Sequence, residues 1–138
     1  VIPQFVLKMS QLKAKKVNQE IEFPIQGDGN QSRAFIYIDD FIDGLMLVIQ
    51  RGVHLNIYNI GTNEELLIRD VAYKIAEYLG LRIRIIPGPE ARGGTLRRCP
   101  DISKLKQLGF KQRFNFYKAL RVTVDWYATS NMSEISFT

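Results

Sequence analysis

The sequence predicts an α/β domain, because short strand-like runs alternate with amphipathic helical runs along most of the 138 residues. The strand-like runs are rich in isoleucine, phenylalanine and tyrosine. The helical runs repeat apolar residues every three or four positions. Glycine or proline stands at many of the boundaries between them. We expect about four short strands alternating with about five helices in one domain.

Four runs predict strands, because β-branched and aromatic residues are concentrated in them. These runs are residues 21–26, 34–38, 56–60 and 82–86. The sequence GDGN at 27–30 predicts a turn after the first run, since glycine supplies positive φ and Asp and Asn bond their own backbone. Two prolines and three glycines at 87–94 predict a loop after the last run.

Five runs predict helices, and polar residues or proline mark several of their starts. They cover residues 3–17, the run from Asp39 to residue 51, and residues 67–79, 102–108 and 115–127. Pro3 suits a first helical turn, where its missing N–H costs nothing. Asp39 and Asp40 are placed to cap the second helix, and Asn115 is placed to cap the last one.

Composition excludes several classes of protein. A single cysteine, Cys99, excludes an internal disulfide framework and any multi-cysteine metal site, and fits a reducing cytoplasm. No apolar run approaches the ~18 residues of a membrane span, so we expect no membrane partner. The net charge of +5 is compatible with a nucleic acid, an anionic membrane surface or a small anionic substrate as partner. The sequence contains no GxGxxG turn that opens a helix and no GxxxxGK[ST], HExxH, CxxC or GxSxG motif.

Four segments resemble one family in order and spacing. GDGNQSRAFIYIDD at 27–40 resembles the GDGxQxRxFxYVDD stretch in the C-terminal half of extended short-chain dehydrogenase/reductases, the NAD-dependent nucleotide-sugar epimerases and dehydratases. VIPQFV at 1–6, IYNIGTNEELLIRDVAYKIAEYLG at 57–80 and RRCPDISKLKQLGF at 97–110 are similar to further segments of that half. The similarity covers nearly all of residues 1–127 in one colinear order, although Leu67 replaces the family's usual Ser or Thr helix cap.

The resemblance implies that residues 1–127 form a nucleotide-sugar-binding domain and that residues 128–138 are a polar tail. In this family the other half, a Rossmann domain, carries the Gly-rich NAD or NADP turn and the catalytic Tyr-xxx-Lys pair. Neither motif stands in this sequence, which also begins at Val1 rather than Met. We therefore expect a fragment that lacks the Rossmann half, contains no catalytic, cofactor-binding or metal-binding residue, and is inactive alone.

The resemblance also assigns substrate-binding roles. Arginines of this family contact the diphosphate and sugar, and a strand reads the nucleotide base through its backbone. The corresponding residues are Arg33, Arg98, Arg92, Pro24, Ile25 and Gln26. Phe35 is a further candidate, because side chains of the run 34–38 alternate between a core face and a face that can line the base or ribose site. Other roles stay open, since Arg33 can pair with Asp28 or Asp40, and Phe35 can belong to the core.

The leading hypothesis is a substrate-binding portion that positions a nucleotide sugar for oxidation by a cofactor held in the other half. Its expected partners are the sugar nucleotide, the Rossmann half and a second copy of the chain. The alternative is a non-enzymatic basic module for RNA or another polyanion, because Arg33, Phe35 and Tyr37 interleave charge with aromatic rings. Nucleic acid is the less favoured partner, since the basic residues form no continuous stripe and no RRM or KH signature is present.

Overall fold

Helices and short strands alternate along the chain in the computed structural model, which describes residues 1–15, 19–90 and 93–129. Five helices and five strands form within these residues, so the predicted α/β class and helix number are confirmed. In chain order they are α1 (Ile2–Lys15), β1 (Ile21–Gln26), β2 (Ser32–Ala34), α2 (Ile38–Arg51), β3 (Glu65–Leu67), α3 (Ile68–Tyr78), β4 (Ile83–Gly88), β5 (Arg97–Arg98), α4 (Ser103–Gln107) and α5 (Phe116–Thr129).

The strands form two small sheets. β1 pairs with β4 in parallel along its whole length, with Ile21 opposite Ile83 and Gln26 opposite Gly88. β2 is the middle strand of the other sheet, antiparallel to β3 and parallel to β5. Parallel neighbours need a long crossover connection, so each parallel pair joins distant parts of the sequence.

The main hydrophobic core is built from one face of β1 and from α1, α3 and α5. Residues of β1 alternate between buried and exposed, because successive side chains of a strand point to opposite faces. Core side chains with no exposed surface include Val6, Met9, Phe23, Val71 and Ile75. A smaller cluster of Ile102, Leu105 and Phe110 packs against α2. The opposite face of α2 carries exposed apolar side chains.

The observed strands differ from the predicted ones at positions where strand formation depends on a pairing partner rather than on composition. The run 34–38 was expected to be a strand, but β2 ends at Ala34 and residues 35–37 lead directly into α2. The run 56–60 forms no strand, because no described residue pairs with it. The short strands β3 and β5 lacked a sequence signal and form because β2 lies between them. β4 extends two residues beyond the predicted run, into the predicted loop at 87–94.

Asp39 and Asp40 do not cap α2 as predicted, but both lie in its first turn, where the prediction from the helix dipole placed acidic side chains. Tyr37 is the N-cap residue and makes no side-chain capping bond. Asp40 is fully buried and accepts hydrogen bonds from the backbone N–H groups of Arg113 at 2.9 Å and Phe114 at 3.0 Å. Its carboxylate therefore joins α2 to the segment before α5.

The predicted cap of α5 is confirmed. The Asn115 side chain accepts a hydrogen bond from the backbone N–H of Lys118 at 2.9 Å, which satisfies a donor that the first helical turn leaves free. α5 then continues to Thr129, so two residues of the predicted tail at 128–138 are helical. The rest of that tail and the predicted end of α1 at residues 16–17 lie outside the described residues.

The turn between β1 and β2 supplies the cap that Leu67 cannot provide. The backbone N–H of Ile68 donates to the Gln31 carbonyl at 3.0 Å, and that of Arg69 donates to the Gly29 carbonyl at 3.1 Å. Two of the free donors at the start of α3 are thus satisfied by main-chain oxygens. The turn is thereby held against α3, and Arg33 lies on the strand that follows the turn.

Gly29→Ala is expected to lower the free energy of unfolding by about 2–4 kcal/mol, through backbone strain and overpacking. Gly29 has φ +81°, and an added Cβ would lie 2.7 Å from Ile25 Cδ1 and 2.8 Å from Arg69 Cβ. The matched control is Gly80→Ala, where φ is +67° and no atom lies within 4 Å of the added Cβ. In that control only backbone strain acts, and the free energy of unfolding is expected to fall by about 1 kcal/mol. Urea unfolding measures both, and equal losses would contradict the steric argument.

Candidate functional site

Three depressions meet at Arg33, the middle residue of β2. The turn cavity, of about 90 Å³, is lined by Gln26, Gly27, Asp28, Gln31, Arg33, Glu90, Gly94, Thr95 and Leu96. The arginine groove, of about 530 Å³, is lined by Arg33, Ala34, Arg97, Arg98, Cys99 and Pro100. The strand groove, of about 410 Å³, is lined by Val1, Gln4, Phe5, Lys8, Phe23, Pro24, Ile25, Gln26, Gln31, Arg33 and Ile68.

Pairing of β2 with β5 brings the two predicted phosphate ligands together. Arg33 is the register partner of Arg98 in a parallel pair, so both side chains leave the same face of the sheet. One nitrogen of the Arg33 guanidinium, Nη1, donates to the Ser32 carbonyl at 2.6 Å. The structure thus places on neighbouring strands two arginines that are far apart in sequence.

The charge of this pair is not neutralised within the described part of the chain. No carboxylate there forms an ion pair with Arg33 or Arg98. The pairing of Arg33 with Asp28 or Asp40 that the sequence left open is not formed, because Asp28 bonds Asn30 and Asp40 bonds the segment before α5. Among the described residues, those that line the arginine groove include Arg33 and Arg98, and none of them is acidic. It is therefore suited to a phosphorylated or otherwise anionic ligand.

The opposite face of the same sheet carries a neutralised arginine. Arg97 Nε donates to Glu65 Oε2 at 3.0 Å, and Arg97 Nη2 forms an ion pair with the same oxygen at 2.9 Å. The Ser32 hydroxyl donates to Glu65 Oε1. The hydrogen bond from Ser32, and then that from Arg97, hold the pKa of Glu65 below its usual value. Glu65 is therefore ionised at neutral pH and balances Arg97. Of the charged residues in this sheet, Arg33 and Arg98 are left without a carboxylate partner among the described residues.

The predicted base-reading strand lies beside Arg33 in the strand groove. Ile25 points into the core, whereas Pro24 and Gln26 are exposed. The Gln26 carbonyl accepts a hydrogen bond from the Gln31 side chain at 2.7 Å, and the Pro24 carbonyl lies 3.5 Å from Lys8 Nζ. Main-chain groups of this strand thus border the same groove as Arg33.

The other two predicted ligands are placed differently. Phe35 is half-buried and packs on the main core, with its ring centroid 5.9 Å from that of Phe116. It lines none of the three depressions, so its contacts correspond to the core role that the sequence left open. Arg92 lies outside the described residues.

Sequence reasoning missed three residues of the site. Glu65 and Ser32 lie on strands with no recognisable pattern, and their contact with Arg97 follows only from the order β3–β2–β5. Gln31 stands in the GDGNQSR segment, and its position two residues before Arg33 was the available signal. Within the described residues there is no cluster of three potential metal ligands, and no helix long and apolar enough to cross a membrane.

A dinucleotide does not fit the glycine-rich turn of this chain. Gly27 and Gly29 lie between β1 and β2, so the turn leads into a strand rather than into a helix N-terminus. Binding of a dinucleotide pyrophosphate depends on backbone N–H groups at the start of a helix. At the start of α3 two of those N–H groups are bonded to the turn itself.

Comparison with known proteins places these features in a family. Residues 1–61 match the model of the NAD dependent epimerase/dehydratase family. A solved structure of DesIV, a dTDP-glucose 4,6-dehydratase from Streptomyces venezuelae with NAD and TYD bound, is 29% identical with a TM-score of 0.74, over 91% of this chain and 37% of that one. The chain is thus similar to NAD-dependent epimerase/dehydratases over most of its length, and its first 61 residues match the model of that family.

Curated relatives in this epimerase/dehydratase family are longer than the chain. GDP-L-fucose synthase 1 of Arabidopsis thaliana is 31% identical over 119 residues, which cover 86% of the chain and 37% of that protein. The trifunctional UDP-glucose 4,6-dehydratase/UDP-4-keto-6-deoxy-D-glucose 3,5-epimerase/UDP-4-keto-L-rhamnose-reductase of the same plant is 30% identical over 135 residues, 92% of the chain and 18% of that protein. The chain therefore spans about a fifth to two fifths of the length of such epimerase/dehydratase relatives.

Proposed function

We propose that this chain is the nucleotide-sugar-binding portion of an NAD(P)-dependent epimerase/dehydratase, and that it corresponds to the C-terminal half of such an enzyme. The observation that carries the proposal is the pair of unbalanced arginines, Arg33 and Arg98, on one face of a three-stranded sheet. A diphosphate offers several oxygens within a few ångströms, and guanidinium groups bind such oxygens in pairs. The similar DesIV structure is that of a dTDP-glucose 4,6-dehydratase, which supports a nucleotide-sugar ligand.

In this proposal the chain holds the substrate and does not perform the redox step. Arg33 and Arg98 bind the diphosphate, and the backbone of β1 borders the nucleoside in the strand groove. The sugar then extends toward the cofactor-binding part of the enzyme. A nicotinamide cofactor bound there would oxidise a sugar hydroxyl to a ketone by accepting the hydride of its carbinol carbon, and this would permit epimerisation, dehydration or decarboxylation. The chain contains no Tyr-xxx-Lys pair, so we propose that it turns over no nucleotide sugar alone.

The apolar face of α2 is the proposed contact with that cofactor-binding part. It consists of Ile38, Phe41, Ile42, Leu45, Met46 and Ile49, all more than a third exposed. Leu55 and Ile57 in the following segment are 92% and 80% exposed. Residues 56–60 have a strand-like composition but no pairing partner among the described residues. A larger protein that covers α2 and pairs with this segment would satisfy both features.

The isolated chain is expected to self-associate through the α2 face, because exposed apolar patches and unpaired strand-like segments favour association. Replacing Ile42 and Ile49 together by glutamate should shift the molecular mass measured by light scattering toward that of the monomer. Val122→Glu on α5, which is 45% exposed, serves as the control and should leave the association unchanged. A monomer at high protein concentration in the unmodified chain would contradict this prediction.

Calorimetric titration tests the proposed function. UDP, GDP and dTDP should include at least one ligand that binds stoichiometrically, whereas NAD should give no binding heat at protein concentrations of roughly tens of micromolar. Stoichiometric NAD binding would contradict the assignment of the cofactor to another part of the enzyme. Failure of every nucleoside diphosphate to bind the folded chain would contradict the arginine site.

Salt dependence separates this function from the alternative of an RNA-binding module. Affinity for single-stranded RNA falls steeply with salt, with a logarithmic slope of about −0.7 for each phosphate contacted. A site that contacts one diphosphate should show a much shallower slope. A steep slope with RNA, together with no binding of nucleoside diphosphates, would favour the RNA module.

A further inference from the structure

The two arginines that we propose to bind the diphosphate are called the anion site below. One of them lies on the shortest of the described strands. β5 consists of Arg97 and Arg98 alone and pairs with β2 through only two register positions. One additional backbone bond, from Ser32 N–H to the Leu96 carbonyl at 2.8 Å, lies at its start. So short a pairing contributes few backbone hydrogen bonds. Arg33 and Arg98 are register partners, and the repulsion between their like charges weakens the pairing of the two strands further.

Glu65 provides the contact that links all three strands of this sheet. It stands on β3, and its two carboxylate oxygens bond different strands: Oε1 accepts from Ser32 on β2, and Oε2 accepts from Arg97 on β5. Two guanidinium nitrogens of Arg97, Nε and Nη2, lie 3.0 and 2.9 Å from the same Glu65 oxygen, so the contact is both a hydrogen bond and an ion pair. Both contacts lie on the face opposite to Arg33 and Arg98, because neighbouring residues of a strand point to opposite faces.

We propose that Glu65 is a positioning residue of the anion site, which holds β5 in register with β2 so that Arg98 lies beside Arg33. This inference rests on the proposed diphosphate-binding function and adds a residue that does not touch the ligand. Glu65 also balances the charge of Arg97, so that the attraction for an anion is concentrated on the ligand-facing side of the sheet. The Ser32 hydroxyl aligns the carboxylate for this role.

A double-mutant cycle with UDP, or with whichever nucleoside diphosphate binds the unmodified chain, tests the proposal in solution. Glu65→Ala should weaken binding by about fivefold to twentyfold, as the loss of one charged contact would. Once Glu65 is removed, the additional substitution Arg98→Ala should change affinity by less than about twofold, because Arg98 has already left the site. Adding Arg33→Ala should still have its full effect. Additive effects of Glu65→Ala and Arg98→Ala would overturn the proposal.

Cys99 gives a readout that needs no ligand. It is the single cysteine of the chain, it is half-buried, and it follows Arg98 directly. Release of β5 in Glu65→Ala should increase the rate at which a thiol reagent modifies Cys99, whereas Glu65→Gln, which retains a side-chain acceptor, should restore part of the protection. The control is Glu77→Ala, which removes the exposed ion pair with Lys74 on α3.

The affinity measurement and the Cys99 modification rate together distinguish a failure of the proposed function from a failure of the proposed role of Glu65. If the unmodified chain binds no diphosphate but Glu65→Ala exposes Cys99, the proposed function fails while the structural role of Glu65 stands. If the chain binds UDP and Glu65→Ala changes neither the affinity nor the rate of Cys99 modification, the proposed role of Glu65 is wrong. Circular dichroism of each variant verifies that the fold is retained.

Discussion

Arg33→Ala is expected to weaken nucleoside diphosphate binding by about tenfold to a hundredfold, which corresponds to about 1.5–3 kcal/mol. Arg33 lines all three depressions of the site and has no carboxylate partner among the described residues. Its removal therefore abolishes a charge-assisted contact with the ligand without breaking an internal ion pair. Calorimetric titration at a fixed salt concentration measures the change.

Two further substitutions make this test specific. Arg33→Lys should recover only part of the affinity, because an ammonium group supplies a point charge rather than two parallel donors. Arg121→Ala is the matched control, since Arg121 is exposed on α5, a helix that contributes no residue to the three depressions. It should change affinity by less than about twofold, because a distant surface charge is screened by salt. Small and equal effects of Arg33→Ala and Arg121→Ala would show that the site is misplaced.

Asp40→Ala is expected to lower the free energy of unfolding by about 3–5 kcal/mol, because each of its two hydrogen bonds involves a charged acceptor. The side chain is fully buried, and its oxygens accept from the backbone N–H groups of Arg113 and Phe114. Alanine would leave both N–H groups without an acceptor inside the protein. Urea unfolding of the 138-residue chain measures the loss.

Asp43→Ala is the control for this prediction. Asp43 pairs with Arg113 Nη2 at 2.7 Å, but both side chains are about half exposed. Exposed ion pairs contribute about 0.2–1 kcal/mol, so the loss should be several times smaller than for Asp40→Ala. The loss of unfolding free energy for Asp40→Asn should lie between those for Asp40→Ala and Asp43→Ala, since an amide keeps one acceptor oxygen. Similar losses for Asp40→Ala and Asp43→Ala would mean that the buried hydrogen bonds do not stabilise the fold.

The parts of the fold that local sequence determines were predictable. The Asn115 cap, the apolar periodicity of α1 and α3, and the alternation in β1 are signals carried by neighbouring residues. β3 and β5 have three and two residues, too few for a periodic pattern, and exist because β2 pairs with both. The run 56–60 has a strand-like composition and no strand, because a ladder also needs a neighbour.

The candidate site likewise combines residues that the sequence identifies with contacts that only the tertiary fold creates. A resemblance of short motifs was enough to single out Arg33 and Arg98, but their proximity depends on the parallel pairing of β2 with β5. Asp40 looked like a cap because it follows an apolar run, and only the tertiary fold turns its carboxylate toward Arg113 and Phe114. Glu65 was not identifiable, since its contacts lie on two other strands.

The parallel pairing of β1 with β4 has a consequence for the order of folding. Glu22 and Arg84 face each other across this pair although 62 residues separate them in sequence. Closing so long a segment costs conformational entropy before any contact stabilises the pair. Proteins dominated by such long-range pairings fold on the order of milliseconds to seconds. On a ribosome, β2 cannot meet β5 until residues 97–98 have emerged. Recognition of an anion should therefore appear late, both in refolding and in synthesis, after α1, α2 and α3 have formed.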